Sequence, residues 1–192
     1  MSTTPSPQHE PASIGLTWLA CLAALGTSAG SLWLSLKMDL VACPLCFYQR
    51  TFAFGAAAVL LVGLLFGAGR RTALSLLVLP LAAGGLGVAG FHVYLDWSGI
   101  LECPAGIHDI GTAPKQSLAA FGVLVVLLLL DVAVNRQAVC CPLLAVLVGL
   151  ALGGACAYGC IVSAPKPPEP PTKPYDPTKP INTCRRPYKA PE

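Results

Sequence analysis

Residues 14–36 read IGLTWLACLAALGTSAGSLWLSL, twenty-three consecutive positions without a charge. As an α-helix the stretch is roughly 35 Å long at ~1.5 Å per residue, enough to cross a bilayer with some tilt. The pattern repeats along the chain. A second apolar run opens around Cys43 and ends at Gly69, with Arg50 as its only charge, and Arg70-Arg71 closes it. Thr72 to Leu95 is a third charge-free run, with His92 near its end. A polar loop from Asp96 to Lys115 follows, carrying Trp97, Glu102, Cys103, Pro104, His108 and Asp109. Gln116 to Leu130 is a fourth run that continues past Asp131 to Val134, which places this Asp at an interface. After the break Asn135-Arg136-Gln137 comes a fifth run, Leu143 to Ala164. These runs are too long for strands, and open strands cannot cross lipid because their backbone groups would lack partners.

The expected fold is therefore an all-α integral membrane protein. A four-helix transmembrane bundle over residues 14–134 is joined by a fifth transmembrane helix within 135–163. Residues 1–13 form a polar segment with no Lys or Arg, so it lacks the basic start of a secretory signal peptide. Residues 164–192 hold ten prolines in 29 positions and predict a disordered or extended, polyproline-like tail.

Composition agrees. Of 192 residues, 55% are hydrophobic and only 11% are charged, and the mean hydropathy is +0.68. Such figures exclude an ordinary soluble domain and a disordered chain. A net charge of +3 without a basic run or face excludes nucleic acid as a partner. Five spans put the termini on opposite sides. With the N-terminus inside, the inner connectors carry Arg70, Arg71 and Arg136 against Lys37 and Lys115 outside, in the sense of the positive-inside rule.

Nine cysteines mark the second anomaly. Cys43-Pro44-Leu45-Cys46 has the spacing of a redox pair or of half a zinc site. The nearest candidate for the other half, Cys156 and Cys160, has the wrong spacing and lies within an apolar run. A bland reading has Cys43 and Cys46 as small packing residues. Their place at the mouth of a helix favours redox chemistry instead. Cys46 falls in the first helical turn, where free N–H groups and the helix dipole favour a thiolate. Arg50, four residues on, shares its face. An Arg inside a span is costly and marks function unless it snorkels to the headgroups.

Cys43-Pro44-Leu45-Cys46-Phe47-Tyr48-Gln49-Arg50 resembles the signature of the disulfide bond formation protein B family, DsbB and its BdbC-like relatives. The signature is Cys-x-x-Cys, an aromatic pair, then Gln or Glu and Arg, opening the second of four membrane helices. The resemblance covers roughly residues 14–134. It implies a bacterial inner-membrane protein-disulfide oxidoreductase, an enzyme with its N-terminus cytoplasmic and its tail periplasmic. Such an enzyme takes electrons from a DsbA-like thioredoxin-fold partner and passes them to the quinone pool, ubiquinone or menaquinone. By resemblance, Cys43 and Cys46 form the quinone-proximal catalytic pair, with Cys46 as the thiolate facing the quinone. Arg50 and His92 match the cofactor-binding residues. Both can donate a hydrogen bond to a quinone oxygen. The alternative for His92 is an ordinary interfacial histidine.

The family pattern places two further cysteines in the loop between helices three and four, and here only Cys103 lies there. A fifth helix returns the chain to the side of Cys103, and the stretch from Ala164 to Cys184 could reach ~60 Å in polyproline form. Cys184 is therefore the expected partner of Cys103 in a substrate-facing disulfide, with Cys160 as the alternative. The partner thiolate is expected to attack Cys103, taken as the more accessible sulfur. Cys21 reads as packing, and Cys140 and Cys141 lie toward the inner side.

Two other readings compete. A vitamin K epoxide reductase-like enzyme also joins a quinone to a Cys-x-x-Cys, but its motif is expected at a later helix, and the fused thioredoxin-like domain of many relatives is not found here. A non-enzymatic membrane protein binding a soft metal, or a structural one, would use the scattered cysteines. Against metal binding, a cation at Arg50 would repel the ion.

Overall fold

A computed structural model describes residues 11–66, 71–139, 141–167, 169–171, 173–176 and 178–188. The polar stretch 1–10, Arg70, Cys140 and the chain end from 189 lie outside the described residues. So does the Arg71 side chain, and with Arg70 it leaves two of the three inner basic side chains undescribed.

Five helices make up the molecule: α1 (Pro11–Leu36), α2 (Pro44–Phe66), α3 (Arg71–Trp97), α4 (Ala113–Val134) and α5 (Pro142–Ser163). No strand occurs among the described residues. All five are long and apolar enough to span a bilayer. Each charge-free run folds this way because a helix satisfies its backbone groups within the segment, which lipid requires. Large side chains that remain exposed, such as Leu22, Phe66, Leu77, Val123 and Leu144, are apolar. The molecule turns these side chains outward as a multi-pass membrane protein does.

The core is built mostly from small residues. α1 contributes Ala20, Cys21 and Ala24, and α2 contributes Ala53, Ala56, Ala57 and Leu60 at helical spacing. α3 adds Val78, Leu79, Ala82 and Ala89, and α4 adds Phe121, Leu124, Val125 and Leu128. Small side chains let membrane helices approach closely where water supplies no hydrophobic drive. Cys21 is fully buried there, as its packing reading expects.

α1 packs on α2 and α4, and α3 packs on α2 and α4, which closes the four-helix bundle. α5 stands outside it and lies along α3. Gly149, Gly153 and Ala157 are its buried residues, four apart on one face. A methyl group on Gly153 would sit 2.6 Å from the Ala83 methyl and 2.8 Å from the Pro80 carbonyl oxygen. Glycine is thus what allows the two backbones to meet.

Asp131, three residues before the end of α4, is fully buried. Ser75 donates to its Oδ2 at 2.6 Å. Thr17 and Asn135 donate to its Oδ1 at 3.3 and 3.2 Å. One carboxyl group therefore ties α1, α3 and α4 at the end of the bundle remote from Cys43. Burial costs the charged form most, so hydrogen-bond donors from three elements gather around it.

Candidate active site

At the opposite end the cysteines converge. Cys43 closes the α1–α2 connector, and Cys46 stands in the first turn of α2. Their sulfurs are 3.0 Å apart as neighbouring thiols. The Cys46 backbone N–H also points at the Cys43 sulfur, at 3.4 Å. The backbone bond makes the Cys43 sulfur an acceptor. The hydrogen bond with the Cys46 thiol, then contacts with His92, hold the Cys43 thiol down to about 4, against burial that raises it. The sequence places the thiolate on Cys46 with help from Arg50. The structure instead turns Arg50 toward α1, where it donates to the Ser31 hydroxyl and carbonyl at 2.9 Å and to the Ser35 hydroxyl at 2.6 Å. These bonds give the Arg partners on the neighbouring helix.

The loop between α3 and α4 is shaped by its own side chains. Gln116 accepts from the Ile107 N–H and donates to the Ile107 carbonyl, both at 2.9 Å, and Thr112 donates to Asp96 at 2.8 Å. α4 starts three residues earlier than the apolar run suggests, at Ala113, because Pro114 suits a first turn. This fold holds Cys103 against the bundle.

The proline-rich segment is an extended strap laid across that end. Val41 donates its N–H to the Asn182 carbonyl at 2.8 Å. Glu102 and Arg185 exchange two backbone hydrogen bonds in an antiparallel bridge, and their side chains form an ion pair at 3.6 Å. Arg185 also stacks 3.5 Å over the Tyr175 ring. Between these anchors Cys184 forms a disulfide with Cys103, 81 residues away in sequence. Cys160, the alternative partner, is a free thiol packed near Leu45 and Val88. Cys103 is only 8% exposed, while Cys184 is half-buried. Cys184 is therefore the more accessible residue of the pair, and Cys103 the more buried.

His92 joins the two pairs. It is fully buried, and its Nε2 lies 3.2 Å from the Cys184 sulfur, 3.4 Å from that of Cys103 and 3.8 Å from that of Cys43. Its Nδ1 meets the Gln49 side-chain nitrogen at 3.3 Å, and Ser117 donates to the Gln49 oxygen at 2.7 Å. Sequence reasoning assigned no role to Gln49 or Ser117. The available signal was an amide in an apolar span three residues after Cys46, one turn along the same face.

The ligating atoms of Cys43, His92 and Cys184 lie within 4.8 Å of one another, a spacing that could hold a soft metal. The Cys184 sulfur is committed to a disulfide, which favours exchange chemistry over ligation.

Beside the sulfurs a cavity of about 430 Å³ opens between α1, α2 and α4. Its wall includes Gly26 and Gly30 of α1 together with Cys46, Gln49, Arg50 and Cys184. Small apolar residues leave room for a flat ring, and an Arg donor and a reactive sulfur stand at its edge. These are the groups a quinone requires. His92 is not among the lining residues and connects to the cavity through Gln49.

Comparison with known proteins is consistent with this chemistry. The sequence profile of the family described as disulfide bond formation protein DsbB matches residues 13–119. Disulfide bond formation protein B 1 of Pseudomonas aeruginosa is 38% identical over 97 residues, 50% of this chain and 58% of that protein. Disulfide bond formation protein B of Xanthomonas campestris pv. campestris is 40% identical over 82 residues, 41% of this chain and 47% of the relative. A probable disulfide formation protein of Deinococcus radiodurans is 39% identical over 80 residues, 42% of this chain and half of its own length. The chain thus spans about half the length of the curated relatives it matches. No solved structure matches it.

Proposed function

The chain belongs to the disulfide bond formation protein DsbB family, and from that premise we propose that it is a quinone-dependent thiol oxidase of a bacterial inner membrane. Its N-terminus lies in the cytoplasm and its strap outside. A DsbA-like thioredoxin-fold dithiol is its electron donor. The observation that carries this reading is the convergence of both cysteine pairs on one buried imidazole, beside a cavity that reaches Cys46.

The partner's thiolate opens the Cys103–Cys184 bond and leaves as a disulfide, after which Cys103 and Cys184 are thiols. These reduce a Cys43–Cys46 disulfide, with Cys184 and Cys43 as the sulfurs in reach of each other. A quinone bound in the cavity supplies a sink for two electrons and two protons. Cys46 faces it, Arg50 binds and orients its ring oxygen, and the small residues of α1 shape the slot and exclude water.

The test uses the purified protein in detergent with a reduced thioredoxin-fold dithiol protein and ubiquinone or menaquinone, followed by quinone absorbance. Thiol oxidation that depends on quinone and disappears in Cys46→Ala is the expected result. Absence of quinone-dependent oxidation in the wild type, or unchanged turnover in Cys46→Ala, overturns the reading.

A further inference from the structure

We propose that His92 is a fixed hydrogen-bond donor to the sulfur anion that moves between the two cysteine pairs, and that Gln49, oriented by Ser117, is the positioning residue that holds it in the required tautomer. The inference rests on the thiol-oxidase reading and assigns His92 a place between the disulfides.

A side-chain amide nitrogen only donates, so the Gln49 nitrogen at 3.3 Å from Nδ1 requires a lone pair there. In this orientation the amide oxygen accepts from Ser117 at 2.7 Å, which turns the NH2 group toward Nδ1. Nδ1 without hydrogen means that a neutral ring carries its proton on Nε2. Protonating both nitrogens would set an N–H against the Gln49 NH2 group. In this arrangement the Nε2–H is aimed at three sulfurs: Cys184 at 3.2 Å, Cys103 at 3.4 Å and Cys43 at 3.8 Å.

Exchange between the pairs needs such a donor. A Cys184 thiolate attacks the Cys43 sulfur of a Cys43–Cys46 disulfide, forming a Cys184–Cys43 bond and expelling Cys46 as thiolate. The Cys103 thiolate then attacks Cys184, closes the Cys103–Cys184 bond and expels Cys43 as thiolate. Each bond broken is matched by one formed, and two electrons pass to the Cys43/Cys46 pair. One of the protons that left Cys103 and Cys184 ends on Cys46 and the other passes to solvent, leaving Cys43 as thiolate. Of the four sulfurs that carry the negative charge in this sequence, Cys184, Cys103 and Cys43 are within reach of Nε2, and Cys46 is the one expelled on the far side of Cys43. A neutral donor stabilises an anion at all three without a proton of its own leaving or a cation forming. The other charged groups near the pairs are already engaged, Arg50 with Ser31 and Ser35 and Glu102 with Arg185.

The test has two arms on the full-length protein in detergent. Nitrogen-15 NMR of histidine-labelled protein reads the His92 tautomer, identified by its loss in His92→Phe. The expected signal is a neutral ring protonated on Nε2. An Nδ1-protonated or cationic ring at neutral pH overturns the proposal, whatever any variant does. In the second arm the Cys103/Cys184 pair is reduced by stoichiometric thioredoxin-fold dithiol without quinone, and transfer to Cys43/Cys46 is timed by acid quench and thiol alkylation. Gln49→Leu is expected to slow this transfer roughly tenfold, the loss of one oriented hydrogen bond to an anion, and to release the tautomer in the NMR spectrum. Unchanged transfer with an unchanged spectrum overturns the positioning role. The transfer arm requires no quinone, so it can succeed where the quinone assay fails, and the two readings fall separately.

Discussion

Cys43 and Cys46 are three positions apart, with their sulfurs in contact and the Cys46 backbone N–H donating to the Cys43 sulfur. A thiol held down to about 4 is a thiolate at every pH above that, so its reactivity is lost only as pH falls through this value. Alkylation of Cys43 with iodoacetamide is therefore expected to stay flat from pH 8 down to about pH 5 and to fall below it. An ordinary thiol near ~8.5 loses about tenfold per pH unit over the same range. Quantifying the Cys43 peptide by mass spectrometry at each pH checks this. Asp131 tests the other end. Asp131→Leu leaves the Ser75 and Thr17 hydroxyls and the Asn135 amide without their shared acceptor and is expected to destabilise by about 1–3 kcal/mol. Asp131→Asn keeps an acceptor oxygen and loses less. Thermal unfolding in detergent should rank wild type above Asn above Leu, with alkylation of Cys43 unchanged.

Among the elements, α5 gives the sharpest contrast between neighbouring positions. A side chain at Gly153 strikes Ala83 and Pro80, whereas Gly154 has nothing within 4 Å. Gly153→Ile is expected to cost about 1–3 kcal/mol by overpacking and to reduce the fraction of molecules with a Cys103–Cys184 disulfide, measured by non-reducing peptide mapping. Gly154→Ile should change neither. Five helices were legible in the sequence because lipid leaves a charge-free run few other structures. Cys43 and Cys46 at a helix mouth were legible from spacing alone. The seat of α5 on α3 was not, since hydropathy says nothing about which small face meets which. Nor was the course of the Arg50 side chain, which serines one helix away decide. His92, Gln49 and Ser117 are brought together across separations of 43 and 68 residues, and no local pattern records such a meeting.

For the molecule as a whole, the strap divides the work between two regions. The bundle holds Cys43, Cys46, Cys103 and the cavity, while α5 and the strap deliver Cys184. A chain ending at Ser163 should keep quinone reduction with dithiothreitol, a thiol small enough to reach Cys43 and Cys46 directly. It should lose oxidation of a thioredoxin-fold dithiol by at least about tenfold. Comparing the two donors in the same absorbance assay reads the difference, and equal losses with both would show that the strap serves the bundle's integrity instead. The order of biosynthesis gives the strap one more consequence. Cys103 leaves the ribosome 81 residues before the cysteine it must join. A nascent chain that has inserted four helices holds Cys103 without Cys184, and the bond between them waits on the fifth helix and the strap. Translation past Cys184 thus sets the moment at which this link can close.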